Sequence, residues 1–173
     1  MKKFMPEWYA LWTKSRHEFK AEEALANKGF EVFLPTTIKQ SIRKDRKKFY
    51  KAPLFPGYIF IKTELNTEVY IEIVRSHGIV NVLGWKEKKA PAIPETQIES
   101  LKILINRDIP LDIHPFLKVG TYVKVIKGPL KGVIGIIKSI QSKRKLIVQV
   151  DLLKRAVSCE ISADDVIPIE NPY

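Results

Sequence analysis

Short apolar runs and longer amphipathic stretches alternate through the first part of the chain. Runs rich in β-branched and aromatic residues predict strands, which lie at residues 8–13, 30–38, 51–62 and 79–85. Apolar positions at the helical period predict three helices, the first with Ser15 and Glu18 as a capping box. Asn66 or Thr67 would cap the second helix, and Pro94 would be the first residue of the third. This order predicts a mixed α/β unit in which helices flank an antiparallel sheet.

A basic stretch separates the second and third predicted strands and would form the tip of a long hairpin. Its cations and interleaved aromatic residues are Lys39, Arg43, Lys44, Arg46, Lys47, Lys48, Phe49, Tyr50 and Lys51. Such a tip can be a solvated loop, or it can bind phosphates while its aromatic rings stack on bases. Pro35, Pro53 and Pro56 predict edges or bends within the two legs of this hairpin.

Beyond residue 107 the pattern changes to a linker followed by short β-like runs. Residues 108–117 contain two prolines and no clear period, which predicts a linker between domains at 1–107 and 118–173. The five predicted strands of the second domain lie at 121–126, 133–140, 146–152, 156–161 and 166–169. Because closure removes exposed sheet edges, we expect a small five-stranded β-barrel. The fold class expected for the whole chain is therefore α+β, with an α/β domain followed by a barrel.

The composition is that of a globular protein and argues against a membrane span. Hydrophobic residues make up 45% of the 173 residues and charged residues 28%. No apolar run approaches the roughly 20 residues that a membrane-spanning helix needs. We therefore expect a cytoplasmic protein with no membrane partner.

The charge balance points to a polyanionic partner, while cysteine and histidine offer no metal site. Cys159 is the single cysteine, and it shares no ligand spacing with His17, His77 and His114. A buried structural thiol is the expected role for Cys159, and we expect neither a metal nor a cofactor. Thirty basic against nineteen acidic residues give a net charge of +11, which attracts nucleic acid. Charge alone does not separate a nucleic-acid-binding protein from a merely basic one.

Three motifs carry a resemblance to one family. The first is Trp-Tyr-Ala-Leu-Trp-Thr-Lys at residues 8–14, and the second is Pro-Leu-Phe-Pro-Gly-Tyr-Ile-Phe-Ile at residues 53–61. The third spans residues 118–135 and contains a glycine, a strand, a Gly-Pro turn and further glycines before the next strand. Together these motifs resemble the NusG family of bacterial transcription elongation factors, in which an N-terminal NGN domain precedes a KOW domain. The resemblance covers residues 8–169.

The resemblance implies that the NGN domain docks on the clamp helices of the largest RNA polymerase subunit and favours processive elongation. The matching positions are Trp12, Phe55, Pro56, Tyr58, Phe60, Ile98 and Leu101. Strand alternation puts Tyr58 and Phe60 on one side, and Ile98 and Leu101 share a helix face, so these side chains could line one groove. The alternative is that some of them, Phe60 and Leu101 above all, are simply core residues.

The KOW region carries an excess of positive charge that suggests RNA. Residues 116–173 hold ten Lys or Arg and five Asp or Glu. The candidate contacts, placed in the connections between predicted strands, are Lys127, Lys131, Lys143, Arg144, Lys145, Lys154 and Arg155. This excess resembles specialised antitermination paralogues of the LoaP type, which read a hairpin in the nascent RNA. The expected partners are RNA polymerase and nucleic acid, either nascent RNA or upstream DNA.

Other functions stay open at this point. A general NusG-like factor would use its KOW domain as an adaptor for a ribosomal protein or a termination factor. A ribosomal-type KOW protein would bind RNA with an unrelated N-terminal half, but the Phe-Pro-Gly-Tyr motif argues against it. An enzyme is not expected, because no nucleophile elbow is present and residues 128–132 lack the ending of a phosphate-binding loop. We expect a monomer.

Overall fold

A computed structural model of the chain describes residues 5–41, 48–107, 109–114, 120–140 and 143–173. The side chains of residues 113, 114 and 140 are not among those described. Contacts divide the chain into two units, Met1–Ala92 and Ile93–Tyr173. The predicted first domain ends at residue 107, so the observed division lies fifteen residues earlier. The packing of the helix at Glu95–Ile105, described below, accounts for this difference.

The first unit contains one four-stranded antiparallel sheet, two helices and a separate hairpin. Its elements are β1 (Glu7–Thr13), α1 (Glu18–Ala26), β2 (Glu31–Phe33), β3 (Thr36–Gln40), β4 (Phe49–Pro53), β5 (Tyr58–Thr63), α2 (Thr67–Val74) and β6 (Ile79–Val82). The sheet has the order β2-β5-β1-β6, and all its pairs are antiparallel. The order puts β1 and β5, which carry the two N-terminal motifs, side by side at its centre.

Both legs of the predicted hairpin are broken at prolines. The predicted strand at 30–38 is two strands, β2 and β3, because Pro35 has no N–H to continue a ladder. The predicted strand at 51–62 divides into β4 and β5 around the turn that contains Pro56. As a result β3 and β4 form a two-stranded sheet of their own, with Ile38 opposite Lys51.

The two faces of the four-stranded sheet bury different side chains. One face packs on the helices, with Leu11 and Ile59 from the central strands against Leu25 of α1 and Ile73 of α2. The other face carries aromatic rings, which are in edge or stacked contact and are Trp8, Phe33, Phe55 and Phe60. Burial on both faces makes this sheet a rigid frame for the residues at its ends.

One predicted helix cap is present and another is not. Asn66 caps α2, and its Oδ1 accepts a hydrogen bond from Val69 N at 2.9 Å. The predicted cap of α1 by Ser15 is wrong, because α1 begins at Glu18 and its N-cap is His17. Arg16, at a φ of 59°, turns the chain between Ser15 and the helix, so the serine side chain is not in register to cap. The side chain of Glu18 has a different partner, described below.

The second unit contains a helix and a six-stranded antiparallel sheet. Its elements are α3 (Glu95–Ile105), β7 (Asp112–His114), β8 (Thr121–Val125), β9 (Ile134–Ile140), β10 (Lys143–Val150), β11 (Arg155–Glu160) and β12 (Val166–Pro168). The strand order is β12-β8-β9-β10-β11-β7. All five predicted strands are present, and β7 adds a sixth strand from within the predicted linker by pairing with β11. Between the described strands at the two ends, β7 and β12, the structure shows no ladder that would close the predicted barrel.

Helix α3 packs on the sheet of the second unit, which explains where the contacts divide the chain. Gln97 Nε2 donates to Asp151 Oδ2 at 2.8 Å, and Ile134 N donates to Ser100 Oγ at 3.0 Å. Both Gln97 and Ser100 are buried. The apolar period of this helix does not indicate these polar contacts, and the helix begins one residue after Pro94 rather than at it.

The architecture agrees with the predicted α+β class, since an α/β unit with an antiparallel sheet precedes a unit built on antiparallel strands. Over the described ranges, every helix is too short or too polar to cross a membrane.

Candidate docking groove and cationic surfaces

A groove of about 430 Å³, lined by both apolar and polar side chains, lies at the end of β1 beside the Phe-Pro-Gly-Tyr turn. Its apolar walls are the indole of Trp12, which is 52% exposed, the exposed ring of Pro56, and Val80 of β6, which is 44% exposed. The polar side chains that line the groove are Thr13, Lys14, Ser15 and Glu18. Large apolar side chains that are this exposed to solvent on a rigid sheet are typical of a surface that a protein partner covers.

The turn beside this groove is fixed at Gly57, whose backbone N–H and carbonyl oxygen are both hydrogen-bonded. Gly57 has a φ of +88°, a conformation that a side chain would disfavour. Gly57 N donates to Glu18 Oε1 at 2.9 Å, and Thr13 N donates to the Gly57 carbonyl oxygen at 2.9 Å. Within the turn, Tyr58 N donates to the Phe55 carbonyl oxygen at 3.1 Å. The turn is therefore attached to both α1 and β1.

Four of the seven residues predicted to bind polymerase come together on the aromatic face of the sheet. Trp12 pairs with Tyr58 across β1 and β5, and Phe60 follows two residues along on the same face. Phe55 meets Phe60 edge-on, with ring centroids 6.4 Å apart. The exposure falls steeply along this row, since Trp12 is half exposed, Tyr58 is partly buried, and Phe55 and Phe60 are buried.

The remaining predicted docking residues have two different locations. Pro56 is exposed in the turn, beside Trp12 in the groove wall. Ile98 and Leu101 lie on α3 in the second unit, and both are fully buried. In this structure Phe55, Phe60, Ile98 and Leu101 are thus core residues, and a docking role for them stays a prediction.

Val80 and Glu18 are site residues that sequence reasoning misses. Val80 lies in the predicted strand at 79–85, where alternation would put it on the same face as the core residue Val82. A register shift between β1 and β6 leaves Val80 unpaired and exposed, and no local pattern in the sequence indicates this shift. The sequence pattern assigns Glu18 to a helix cap, and no local pattern connects it to Gly57, which lies 39 residues further on.

The hairpin formed by β3 and β4 exposes aromatic and aliphatic side chains together with lysines. Phe49 is 69% exposed, Ile38 is 65% exposed and Tyr50 is 50% exposed. Cross-strand register puts Phe49 and Ile38 on one face, and Tyr50 on the other face opposite Lys39. Of the predicted phosphate contacts, Lys48 is exposed and immediately precedes β4. The others lie outside the described residues, and they are Arg43, Lys44, Arg46 and Lys47.

The predicted RNA contacts of the second unit divide between the two ends of its sheet. The chain reverses between β8 and β9, again before β10 and again before β11, so successive connections lie at alternate ends. One end carries Lys127, Lys131, Lys154 and Arg155, and the other carries Lys143, Arg144 and Lys145. With β10 eight residues long, the ends are roughly 25 Å apart at about 3.3 Å per residue.

The prediction that all these cations lie in loops is wrong for the second group. Lys143, Arg144 and Lys145 belong to β10, because pairing with β9 continues to the Ile140 and Lys143 pair. Arg155 likewise begins β11, whereas Lys127, Lys131 and Lys154 lie in turns.

Ion pairs offset part of the charge in the second group. Lys143 Nζ lies 2.8 Å from Glu160 Oε1, and Lys145 Nζ lies 2.9 Å from Asp112 Oδ2 on β7. The hydrogen bond from Lys143 lowers the pKa of the Glu160 carboxyl, and the hydrogen bond to Asp112 raises the pKa of Lys145. The Lys145 side chain is only 16% exposed, so it is less available to a partner than Lys143 and Arg144.

The thiol of Cys159 has the buried environment expected from the sequence. Burial raises its pKa to about 11, which keeps it protonated and unreactive at neutral pH. Among the residues that the structure describes, no cluster of three or more His, Cys, Asp or Glu side chains could hold a metal ion.

Comparison with known proteins gives the class and then the family. A family model described as "Transcription termination factor nusG" matches residues 6–102. The transcription termination/antitermination protein NusG of Helicobacter pylori is 27% identical over 168 residues, covering 91% of this chain and 95% of its own. The corresponding protein of Thermus thermophilus is 28% identical over 179 residues, covering 93% and 97%. These relatives are transcription factors rather than enzymes. The chain belongs to the NusG family.

A solved structure has a similar fold. The structure titled "Domain interaction in Thermotoga maritima NusG" matches with a TM-score of 0.55 and 22% identity, covering 95% of this chain and 98% of that one. The family model extends through residue 102 and so includes most of α3, whereas the contacts in this structure assign α3 to the second unit. The family match describes which sequence recurs, and the contacts describe how this chain packs.

Proposed function

We propose that this protein binds RNA polymerase through the groove at Trp12 and thereby promotes processive elongation and antitermination. The observation that carries the proposal is the half-exposed indole of Trp12, which lies with Pro56 and Val80 in a groove on a sheet that is buried on both faces. Membership of the NusG family, whose members act in transcription, supplies the partner.

The chemistry of the groove suits a helical protein partner. Tryptophan is enriched among the residues that dominate binding energy, because it buries a large area at little cost in side-chain entropy. Pro56 and Val80 widen the apolar surface around the indole, and Lys14 and Ser15 provide a polar edge. An amphipathic helix from the polymerase clamp can present apolar side chains to such a groove.

Trp12→Ala tests this docking directly. We expect it to weaken binding to core RNA polymerase by about 2 kcal/mol, roughly thirtyfold, as measured by surface plasmon resonance. Tyr58→Ala should act in the same direction with a smaller effect, because Tyr58 is partly buried beside the indole. Ile71→Ala is the matched control, since Ile71 is an exposed apolar residue on α2. A folded Trp12→Ala variant that binds polymerase as tightly as the wild type would refute the docking site.

Contact with nucleic acid is the second part of the proposal. The net charge of +11, the aromatic and cationic hairpin of β3 and β4, and the exposed cations at both ends of the second sheet support it. Within this scheme the second unit contacts structured RNA, which would make the protein a specialised antitermination factor. A general elongation factor that uses this unit as an adaptor for a ribosomal protein is the alternative.

The two versions differ in what recruits the protein. Pull-down of polymerase from elongation complexes with and without the nascent leader RNA separates them. We expect a specialised factor to be recovered with polymerase only when the leader RNA is present. A general factor should be recovered with polymerase equally in both cases. Recovery with ribosomal subunits in place of polymerase would favour a ribosomal role. A monomer acting in the bacterial cytoplasm fits either version.

A further inference from the structure

We propose that Glu18 is a positioning residue for polymerase docking, because its buried carboxylate fixes the turn on which the Trp12 indole rests. This role rests on the proposed docking function, and Glu18, although it lines the groove, acts on docking through the turn. The link in question joins the first residue of α1 to the backbone of Gly57.

The turn depends on contacts with other elements to hold its shape. Gly57 has a φ of +88°, and glycine is the residue with the most conformations to lose when it is ordered. Its N–H is bonded by Glu18 and its carbonyl oxygen by Thr13, at 2.9 Å each. Removing the carboxylate leaves the Gly57 N–H without its partner, and the turn is then attached through one bond in place of two.

The carboxylate of Glu18 is held where a charge is costly. Glu18 is only 6% exposed, whereas Glu23 on the same helix is exposed. Burial of a carboxylate is tolerated when hydrogen bonds satisfy it, and a bond from a backbone N–H to a charged acceptor is stronger than a neutral one. Its position at the first residue of α1 also places the negative charge at the positive end of the helix. Helix and turn thus stabilise the charge together.

The Trp12 indole packs directly on Gly57, so the position of Gly57 affects the position of the indole. A β-carbon at Gly57 would stand 4.0 Å from both Cδ1 and Nε1 of Trp12, so the indole lies over the glycine backbone. Thr13, which donates to the Gly57 carbonyl oxygen, follows Trp12 in β1. A turn that moves away from α1 removes the surface under the indole and shifts Pro56, which forms the neighbouring wall of the groove. Docking affinity should therefore depend on Glu18.

Two substitutions separate the reach of this side chain from its charge. Glu18→Gln keeps an oxygen at the distance of Gly57 N but removes the charge. Glu18→Asp keeps the charge but is one methylene shorter, so it cannot reach Gly57 N without moving the turn or the helix. If Glu18 instead attracts a cation of the partner directly, the aspartate should bind better than the glutamine.

The experiment measures hydrogen exchange of the Gly57 amide by NMR and affinity for core RNA polymerase, using the full chain. For Glu18→Ala and Glu18→Asp we expect Gly57 exchange to rise at least tenfold and polymerase affinity to fall about tenfold. Glu18→Gln should stay within about threefold of wild type in both measurements. Glu23→Ala is the matched control on the same helix and should change neither.

The outcomes distinguish this inference from the docking proposal. If Trp12→Ala weakens binding but Glu18→Asp and Glu18→Ala do not, docking stands and the positioning role is overturned. Equal loss of affinity for Glu18→Gln and Glu18→Ala, with the Gly57 amide still protected in the glutamine variant, would also overturn it in favour of a direct charge contact. If Trp12→Ala has no effect, the docking proposal fails, and the positioning role in docking fails with it. Should Glu18→Ala not fold, the glutamine and aspartate pair decides alone.

Discussion

At the scale of single residues, Tyr9 links the stability of the first unit to alkaline pH. Its hydroxyl donates to Glu7 Oε2 at 3.1 Å, and the residue is buried on the helix-facing side of β1. Burial raises the pKa of Tyr9 to about 12, and the hydrogen bond to Glu7 and the negative charge of Glu7 act in the same direction. The fold therefore favours the protonated phenol.

The raised pKa sets the direction of a pH effect. The unfolded chain ionises Tyr9 near pH 10, so the favourable contribution of the protonated phenol is fully present below about pH 10. It is lost as the pH rises through about 12, the pKa of the folded form. We expect Tyr9→Phe to reduce the fall in unfolding free energy over this window, measured by urea unfolding at several pH values. The same fall in both proteins would show that Tyr9 contributes nothing to it.

Gly135, in the glycine-rich motif at residues 118–135, tests whether a glycine is required there by the close approach of two strands or by its backbone conformation. A β-carbon at Gly135 would stand 2.5 Å from the Ile147 carbonyl oxygen, so Gly135→Ala must push β9 away from β10. We expect a loss of about 2 kcal/mol, seen as faster hydrogen exchange along the ladder between these strands. Gly128→Ala is the comparison, because Gly128 has a φ of +74° and open space around it.

The comparison separates two reasons for a glycine. Gly128→Ala should cost about 1 kcal/mol through backbone strain and leave the exchange pattern between β9 and β10 unchanged. Equal and local disturbance by both substitutions would mean that the distance at Gly135 relaxes without cost.

Single residues also show what alternation along a strand can and cannot predict. Alternation predicts that Tyr58 and Phe60 share a face, and the register confirms it. It does not predict depth, and Phe60 is buried where Tyr58 is only partly so, because Phe60 lies further from the end of the sheet. The contact between Glu18 and Gly57 joins residues far apart in the chain, and no period or propensity encodes it.

At the scale of elements, the hairpin of β3 and β4 lies outside the main sheet of the first unit and exposes apolar side chains. Its two strands pair with each other and with no strand of the main sheet. The side chains of Phe49, Ile38 and Tyr50 are all at least half exposed. Apolar rings beside lysines on an open hairpin suit single-stranded nucleic acid, where bases stack and phosphates attract cations.

Charge and stacking at this hairpin should have separate signatures. Neutralising Lys39 and Lys48 with glutamine should lower the slope of log affinity against log salt by about 1.4 for a single strand, since each phosphate contact contributes about 0.7. Phe49→Ala together with Tyr50→Ala should lower affinity about tenfold without changing that slope, because stacking releases no counterions. Filter binding of a labelled oligonucleotide over a salt series measures both. An unchanged slope in the lysine variant would make the hairpin a solvated surface.

Elements differ in how well the sequence predicts them. The helix period and the Asn66 cap predict α2 closely, since both signals are local. Prolines mark the breaks in the hairpin legs, but which side of each break joins which sheet depends on pairing between distant strands. A run of cations such as Lys143, Arg144 and Lys145 is typical of a loop, yet pairing with β9 carries these residues into β10.

At the scale of the whole molecule, the predicted domain boundary and the observed division differ over one helix. The apolar period of α3 suits the first domain, and the family match agrees as far as residue 102. Its polar residues nevertheless bond to the second unit, Gln97 to Asp151 just after β10 and Ser100 to Ile134 of β9. A period in apolar residues cannot show which of two cores a helix will join when its polar positions are also buried.

The separation of cations between the two ends of the second sheet predicts which end binds RNA. Replacing Lys127, Lys131 and Arg155 with alanine should weaken binding of the full chain to a leader RNA hairpin more than tenfold. Replacing Lys143 and Arg144 should have less effect, about threefold, because Glu160 already pairs with Lys143. Gel shifts at physiological salt measure both variants.

A scrambled hairpin serves as the control in these gel shifts. Weaker binding of the scrambled RNA by the wild type would indicate recognition of structure, with Arg155 able to pair bidentately or stack. The reverse ranking of the two variants would move the RNA surface to the end that carries Arg144. Equal affinity for both RNAs would leave a general elongation factor with a basic second unit.

The exposed indole of Trp12 also makes the protein its own spectroscopic probe. All three tryptophans, Trp8, Trp12 and Trp85, belong to Met1–Ala92, and residues 93–173 contain none. Trp8 is shielded from water, and Trp85 is stacked on Tyr70 with ring centroids 4.1 Å apart. In protein grown with fluorinated tryptophan, the resonance that responds most strongly to solvent deuteration should therefore be that of Trp12, because Trp85 is only partly exposed. Its loss of that response on adding unlabelled polymerase would report occupancy of the groove without any attached dye.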